Sequence, residues 1–180
     1  LRGINVSGQK SIKMTELKAR FESLRLTSVL TYIQSGNVVF QSTSGDPAAL
    51  EASIEKAIEK SFRFSVTVIV RQPADLQKII KRRSTLVPGM TDDDRLYVTF
   101  LKSAPDPSLV KALAGVPTKG ADTFKIVGRE IYIHCPNGYG RTALSNTYFE
   151  KQLKLSATTR NWRTVQTLLT LSGRPDKPES

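Results

Sequence analysis

The chain has 180 residues, 39% of them hydrophobic and 24% charged, which is the composition of a globular protein with one domain or two small ones. Its single cysteine excludes an internal disulfide, and together with a single histidine it cannot complete a Cys/His zinc site. No apolar run reaches the roughly 18 residues that span a bilayer, and no signal peptide opens the chain. We therefore expect a cytoplasmic protein without membrane association, and a gene product that starts upstream of Leu1, which is not a methionine.

The charge is strongly positive, because 27 Lys and Arg stand against 16 Asp and Glu and leave a net charge of +11 at pH 7. A basic surface attracts anionic partners over long range, so anionic small molecules and nucleic acids are the favoured ligand classes. No block of five like charges occurs, however. The charged residues are therefore also typical of solvated faces of mixed sign, and charge alone does not identify a binding surface.

The first half of the chain begins with a predicted strand, helix and hairpin. Residues 1–4 resemble the end of a strand, and apolar residues spaced by three and four predict a helix over 14–25. Alternating β-rich runs predict strands over 29–34 and 37–41, joined through Ser35-Gly36. This pair of runs predicts a β-hairpin.

A second helix and a further strand complete this half as βαββαβ. Asp46 and Pro47 form an N-cap and first-turn pair, because Asp accepts hydrogen bonds from free amides and Pro has no amide to leave unpaired. An apolar helix face runs from Leu50 to Phe62, and the β-branched run 66–70 predicts a buried strand. We expect the strands to form one sheet with both helices on one of its faces.

The second half repeats this order less regularly. The predicted elements are a helix opened by Pro73 and ended near Pro88-Gly89, strands at 96–101, 123–127 and 130–135, and helices at 107–113, 145–155 and 162–171. A polar loop with two glycines, residues 137–141, separates the last of these strands from the C-terminal helices.

These elements predict an α+β fold of two ferredoxin-like subdomains, each a split βαβ arrangement, in tandem and with extra C-terminal helices. The first subdomain is expected at 1–71 and the second α+β subdomain, with the C-terminal helices, at 72–172. Residues 173–180, rich in Pro and charge, predict a frayed tail.

Four stretches stand out by their residues: LRGINV at 1–6, TYIQSGNVVF at 31–40, NGYGR at 137–141 running into LSN and FE, and ATTRNW at 157–162. Together they resemble a family of bacterial proteins with a domain of unknown function, whose members open with the first of these signatures. Ser7 stands where that family is expected to have a second glycine. The resemblance implies two ferredoxin-like subdomains, and it implies no activity.

The turn from Gly3 to Ser11 nearly spells a phosphate-binding P-loop between a strand and a helix. That motif needs Lys directly after its second glycine, so that the ammonium and the backbone amides converge on one phosphate. Gln9 displaces Lys10 by one position, and no strand ends in an aspartate for magnesium. A polar strand-to-helix turn is therefore the favoured interpretation.

The loop 137–141 is the stronger candidate for a binding site. Its glycines allow close approach of backbone to a ligand, and Arg141 offers a planar fork of donors ahead of a helix N-terminus. The alternative is a plain turn followed by an N-cap at Ser145 or Asn146. By the same logic Asn161 is a predicted N-cap, and Trp162 is a predicted core residue.

Metal and nucleophile chemistry find little support. His134 and Cys135 are neighbours on a predicted strand, so their side chains point to opposite faces, and Cys135 is predicted to be a buried structural residue. The run 92–94 is three aspartates without the spaced ligands of a calcium loop, and it is predicted to be solvated or to cap a helix. We expect no metal site and no cofactor, and the catalytic residues remain unknown.

Three functions stay open. The first is a module that binds an anionic small molecule, phosphorylated or carboxylate. The second is a nucleic-acid-binding protein that uses a basic sheet surface, with Tyr97, Tyr132 and His134 on exposed strand faces. The third is a metal-independent enzyme of unknown reaction, with Glu150 or Glu16 as the acid-base group.

For the first function we expect polar residues at strand ends and helix starts to converge on one cleft between the subdomains. The predicted site residues are Arg2, Asn5, Gln34, Asn37, Asn137, Tyr139, Arg141, Asn146 and Arg160. The competing interpretation is that Arg141 and Arg160 are internal braces, which tie the last helices to the sheet through backbone carbonyls or Glu150. The oligomeric state is not predicted.

Overall fold

The computed structural model describes residues 1–6, 8, 10–86, 92–114 and 121–173. The chain forms two compact units, Leu1–Pro73 with Thr167–Ser180, and Ala74–Gln166. The first unit contains a two-stranded sheet and the second a four-stranded sheet, and helices accompany both, so the α+β class is confirmed. Most of the predicted frayed tail, from residue 174 onward, lies outside the described residues.

The first unit contains helix α1 (Met14–Glu22), strands β1 (Thr27–Tyr32) and β2 (Asn37–Gln41), and helix α2 (Pro47–Phe62). The two strands pair antiparallel, as the hairpin prediction required. Helix α1 ends three residues before its predicted end, because the amides of Leu24 and Arg25 turn back to carbonyls only three residues earlier and Arg25 has a φ of 62°.

Helix α2 begins as predicted. The Asp46 carboxylate accepts a hydrogen bond from the Ala48 amide at 2.9 Å, and Pro47 occupies the first turn. One core joins the elements of this unit: its fully buried side chains include Leu17 and Phe21 from α1, Ile54 and Ile58 from α2, and Ile4 from the N-terminal segment. Both helices therefore pack into the same core, which agrees with their predicted position on one side of the hairpin.

The segment 66–70 differs from the prediction, since it is extended chain outside the two-stranded sheet. The Thr67 carbonyl accepts a hydrogen bond from the Arg2 amide, at 2.9 Å. The amides of Val68 and Val70, in contrast, donate to side-chain carboxylates of α2. Two carboxylates of α2 thus occupy donors that a neighbouring strand on this side would need, and the run belongs to neither of the two sheets.

The second unit is built on one antiparallel sheet. Its elements are α3 (Pro73–Leu86), β3 (Leu96–Leu101), α4 (Pro107–Ala114), β4 (Thr123–Val127), β5 (Glu130–His134), α5 (Asn146–Leu153), β6 (Ala157–Asn161) and α6 (Trp162–Ser172), of which α3 begins and α6 ends in the first unit. The strand order is β4-β5-β3-β6. The predicted strands and helices of this unit match within two residues, except that the predicted end of α3 near Pro88-Gly89 lies outside the described residues.

Strand β6 is the element that the sequence pattern does not predict. Its residues, Ala-Thr-Thr-Arg-Asn, show no apolar alternation, yet they pair with β3 in an antiparallel ladder. The strand ends where Asn161 caps helix α6 by accepting from the Thr164 amide at 2.8 Å, and Trp162 is fully buried. Both of these last predictions are confirmed.

The two faces of this sheet are occupied by different residues. On one face, Leu101, Ile131 and Ile133 form a core with Phe149 of α5, and Cys135 belongs to it. Cys135 is fully buried, as predicted. Since side chains alternate along a strand, Val98 and Tyr132 lie on the opposite face, and both are buried there.

Candidate functional site

The loop 137–141 leaves the end of β5 in a tightly bonded turn. The Gly138 amide donates to the Cys135 carbonyl at 2.9 Å, and the Arg141 amide donates to the Gly138 carbonyl at 3.2 Å. Residues Tyr139–Arg141 form one 3-10 turn. Gly138 has a φ of 86°, a conformation that side-chain-bearing residues rarely adopt, so glycine is required at the start of this turn.

Tyr139 anchors the loop to the sheet. Its hydroxyl donates to Thr159 Oγ1 of β6 at 3.1 Å, and its ring lies on the Tyr97 ring of β3, with centroids 4.8 Å apart. Thr159 in turn bonds to the Thr99 hydroxyl at 2.7 Å and to Asn146 Oδ1 at 3.3 Å. Burial raises the pKa of Tyr139, so the hydroxyl stays neutral and available as a donor.

A second anchor holds the end of the loop. The Thr142 hydroxyl donates to the Asp122 carboxylate and accepts from the Leu144 amide. Burial raises the pKa of the Cys135 thiol, which also hydrogen bonds to Thr142. A thiol kept protonated in the core is a poor nucleophile, which supports its structural interpretation.

Arg141 carries an exposed guanidinium on this loop. Within the described part of the chain its side chain forms no hydrogen bond or ion pair. A second guanidinium lies at the same loop: Arg95 Nη1 is 3.2 Å from the position that a Cβ on Gly138 would occupy. Arg95 was missed by the sequence analysis because only the tertiary fold brings the start of β3 beside this loop.

The other predicted residues of the second unit divide between two places. Asn137 is exposed on the loop, and Asn146 joins Tyr139 through their common partner Thr159. Ser145 is the N-cap of α5, since its hydroxyl accepts from the Tyr148 amide at 3.2 Å. The structure thus carries Asn137, Tyr139 and Arg141 on one loop and connects Asn146 to Tyr139 through Thr159.

Arg160 belongs elsewhere. It follows Thr159 in β6, so its side chain leaves the opposite face of the sheet. Its guanidinium donates to Thr158 Oγ1 at 2.7 Å and to the Thr159 carbonyl at 2.8 Å, and burial lowers the pKa of Arg160 to about 10. These contacts hold the guanidinium against its own strand β6, and the interpretation of Arg160 as a brace between a helix and the sheet stays a prediction.

In the first unit, two of the four predicted site residues are bonded to the fold. The Asn5 amide nitrogen donates to the carbonyls of Ile12 and Gln34, at 3.0 and 2.9 Å, and its oxygen accepts from the Ile12 amide at 2.8 Å. Asn37 is 5% exposed and donates to the Tyr32 carbonyl and the Ser35 hydroxyl. Both asparagines therefore position main chain.

Arg2 and Gln34 complete the first-unit set. The main-chain amide of Arg2 bonds to the segment 66–70, and the Gln34 side chain is exposed while its carbonyl serves Asn5. The expected convergence of these residues with those of the second unit stays a prediction.

The P-loop-like turn is occupied by protein contacts. Lys10 Nζ donates to the Ser65 carbonyl at 2.7 Å, and the main-chain amide of Asn5 donates to the Lys10 carbonyl at 3.2 Å. Two members of the motif, Ser7 and Gln9, lie outside the described residues. The ammonium is directed to backbone, which agrees with a structural turn.

The three consecutive aspartates have separate partners. Asp92 caps the short turn before β3 by accepting from the Asp94 amide at 2.9 Å. Asp93 pairs with Arg83, and Asp94 pairs with Arg163 at 2.9 Å. Across the described ranges, no group of three or more His, Cys, Asp or Glu residues is arranged to hold a metal ion.

The tyrosines proposed as a nucleic-acid platform are covered. Tyr132 is 2% exposed and donates to the Ile79 carbonyl at 3.3 Å, and Tyr97 is half-buried against Tyr139. The expectation of an exposed strand face is wrong for Tyr132, because α3 packs over its ring, whereas Tyr97 and His134 are half-buried.

The carboxylates proposed for acid-base chemistry have structural partners. Glu150 accepts from the Ala157 amide at 2.8 Å, and Glu16 forms a surface pair with Lys13 at 3.8 Å.

In the portion of the chain that the structure describes, no helix has the length and apolar character needed to cross a membrane.

Comparison with known proteins identifies a family and a fold. No curated protein sequence matches the chain significantly. A solved structure described as "conserved bacterial protein SP0830 from Streptococcus pneumoniae" matches with a TM-score of 0.73 at 22% identity, covering 96% of this chain and 95% of that one, which shows a shared fold. The family described as "Protein of unknown function (DUF1697)" matches residues 1–132. The loop 137–141 follows the matched range. Because the match covers most of the chain, the chain belongs to the DUF1697 family.

Proposed function

We propose that the second unit binds an anionic small molecule, phosphate or carboxylate, at the loop 137–141. The observation that carries the proposal is Arg141, an exposed guanidinium without a partner among the described residues, on a loop whose neighbouring side chains are tied to the sheet. A loop held in one conformation loses little further entropy when it binds a ligand.

The chemistry of the loop fits this ligand class. Arg141 offers a planar fork that donates hydrogen bonds to two oxygens of one carboxylate or phosphate, and Arg95 supplies a second positive charge beside Gly138. Among the described residues, the Arg95 guanidinium forms only a long ion pair with Asp92, 3.7 Å between two exposed side chains, so an anion competes for it easily. A charged hydrogen bond of this kind contributes about 1.5–3 kcal/mol.

Two broader proposals accompany the binding site. We propose that both units are ferredoxin-like: the second has the element order β3-α4-β4-β5-α5-β6 and the strand order β4-β5-β3-β6, which supports a split βαβ arrangement. We also propose a cytoplasmic location, which the free, buried Cys135 supports.

The binding proposal is tested by a thermal-shift screen of phosphorylated and carboxylate metabolites, followed by titration calorimetry of each hit. Arg141→Ala is expected to weaken binding by about tenfold to a hundredfold, from the energy of a charged hydrogen bond. Arg141→Lys keeps the charge and loses the fork, so it should restore binding only in part. Lys125→Ala, which removes an exposed charge from β4, is the matched control and should bind like the wild type.

Equal loss of affinity in Arg141→Ala and Lys125→Ala would show a diffuse charge effect and contradict the proposed site. Binding of RNA or DNA whose logarithmic affinity falls by several units per tenfold rise in salt would instead identify nucleic acid as the partner, since each neutralised phosphate adds about 0.7–0.9 to that slope.

A further inference from the structure

Three glutamates form a stripe along helix α2. Glu51, Glu55 and Glu59 are spaced by four residues, so they lie on one face of the helix. Each carboxylate accepts a hydrogen bond from the extended segment that follows: Glu59 from the Ser65 hydroxyl at 2.8 Å, Glu55 from the Val68 amide at 2.8 Å, and Glu51 from the Val70 amide at 2.7 Å. We call these three residues the glutamate stripe.

The match between helix and segment is geometrical. Four helical residues rise about 6 Å, and two extended residues advance about 6.6 Å, so residues four apart on α2 meet residues two apart on the segment. Glu51 and Glu55 meet Val70 and Val68 in this register, with the two elements running antiparallel. The stripe therefore lies where a neighbouring strand would lie.

The two sides of the segment have different partners. The Thr67 carbonyl bonds to the Arg2 amide, and it points to the opposite side from the Val68 and Val70 amides because main-chain groups alternate along extended chain. One side thus joins the N-terminal segment, and the other side meets the carboxylates. A carboxylate accepts hydrogen bonds and donates none, so the stripe cannot itself serve as a strand edge to which another chain adds.

The residues that the stripe covers are typical of a self-pairing strand. Residues 66–70 read Val-Thr-Val-Ile-Val, five β-branched residues without charge, Gly or Pro. Such a segment with open amides is a template for pairing with another chain. Glu51 is itself 5% exposed, so its carboxylate is held against the segment rather than free in solvent.

We propose that the glutamate stripe blocks strand pairing between the edge of residues 66–70 and the same edge of a second copy of this chain. Within the stripe, Glu51 and Glu55 occupy the amides that a second copy would use. The inference is independent of ligand binding at the loop 137–141, because every contact that carries it lies in the first unit.

The test compares the size of the full-length variants by light scattering across a concentration series, with circular dichroism to follow folding. Glu51→Ala with Glu55→Ala opens both amides and should lower the concentration at which oligomers appear by about tenfold or more relative to the wild type. Glu51→Gln with Glu55→Gln keeps an acceptor oxygen and should behave like the wild type. The charge-matched control is Glu16→Ala with Glu22→Ala, two exposed glutamates of α1.

A rescue variant separates edge pairing from general unfolding. Glu51→Ala combined with Val70→Pro removes the carboxylate and the amide hydrogen together, so it should associate less than Glu51→Ala alone. An unfolded chain would aggregate with or without the proline. The proposal is overturned if the double alanine variant keeps the wild-type size at all concentrations, if the glutamine pair associates equally, or if proline leaves the association unchanged.

Discussion

The side-chain amide of Asn5 donates a hydrogen bond to the main-chain carbonyl of Gln34, 2.9 Å away, and so ties the N-terminal segment to the hairpin. The same side chain closes a pair of hydrogen bonds with the main chain of Ile12. Two of the stretches that stand out in the sequence, 1–6 and 31–40, are thus joined by one residue. In these two stretches the polar side chain of Asn5 therefore holds main-chain segments of the first unit together.

Asn5→Ala is expected to destabilise the protein by about 2–4 kcal/mol, because three hydrogen bonds of about 1 kcal/mol each are lost and alanine tolerates the φ of 55° less well than asparagine. Urea unfolding measures the effect. Gln34→Ala is the control, since it removes an exposed side chain and keeps the carbonyl, and it should change stability by about 0.5 kcal/mol or less. Equal effects of the two substitutions would refute this role of Asn5.

Gly36→Ala tests the close approach at the hairpin turn. Gly36 has a φ of 78°, and a Cβ there would lie 2.9 Å from the Ile4 side chain and 3.0 Å from Leu1 Cβ. We expect the free energy of unfolding to fall by about 2–4 kcal/mol, because alanine is strained in the left-handed backbone conformation and because its Cβ overpacks the site. Gly45→Ala meets nothing within 4 Å and has no positive φ, so its melting temperature should stay close to that of the wild type. Tolerance of alanine at both sites would contradict the packing described.

Alkaline pH should destabilise the second unit through Tyr132. Burial raises the pKa of Tyr132 from 10.0 to about 12. The folded state therefore favours the neutral phenol. The neutral Tyr132 side chain makes its full contribution to the free energy of unfolding below pH 10, and this contribution is lost as the pH rises toward about 12. The unfolding free energy of the wild type should fall through this window relative to that of Tyr132→Phe. A constant difference between the two proteins from pH 8 to pH 12 would disprove the assignment.

Cys135 should react with a thiol reagent only after unfolding. The residue is fully buried, and burial raises the pKa of its thiol, so little thiolate is present and the reagent cannot reach it. Absorbance of released thionitrobenzoate should rise slowly in native buffer and at once in guanidinium chloride. Rapid reaction of the folded protein would show that this face of the sheet opens.

Local sequence determined most elements of this fold. Strands such as Asn37–Gln41 and Leu96–Leu101 follow from β-rich runs, and the start of α2 follows from Asp46 and Pro47, because alternation and capping act between residues close in the chain. Burial of Cys135 and Trp162 was predictable for the same reason: their neighbours in strand or helix are apolar.

Only the tertiary structure decided which hydrogen bonds the polar groups make. Residues 66–70 have the composition of a strand, yet glutamates of α2 take two of their amides, while the polar β6 becomes a strand because β3 offers it a ladder. Nothing local separates Arg141, exposed on its loop, from Arg160, half-buried on the other face of the sheet, or places Arg95 beside Gly138. Hydrogen bonds between residues distant in the chain need a donor–acceptor distance correct to within a few tenths of an ångström and a favourable angle. Both are set only once the sheet and helices have packed.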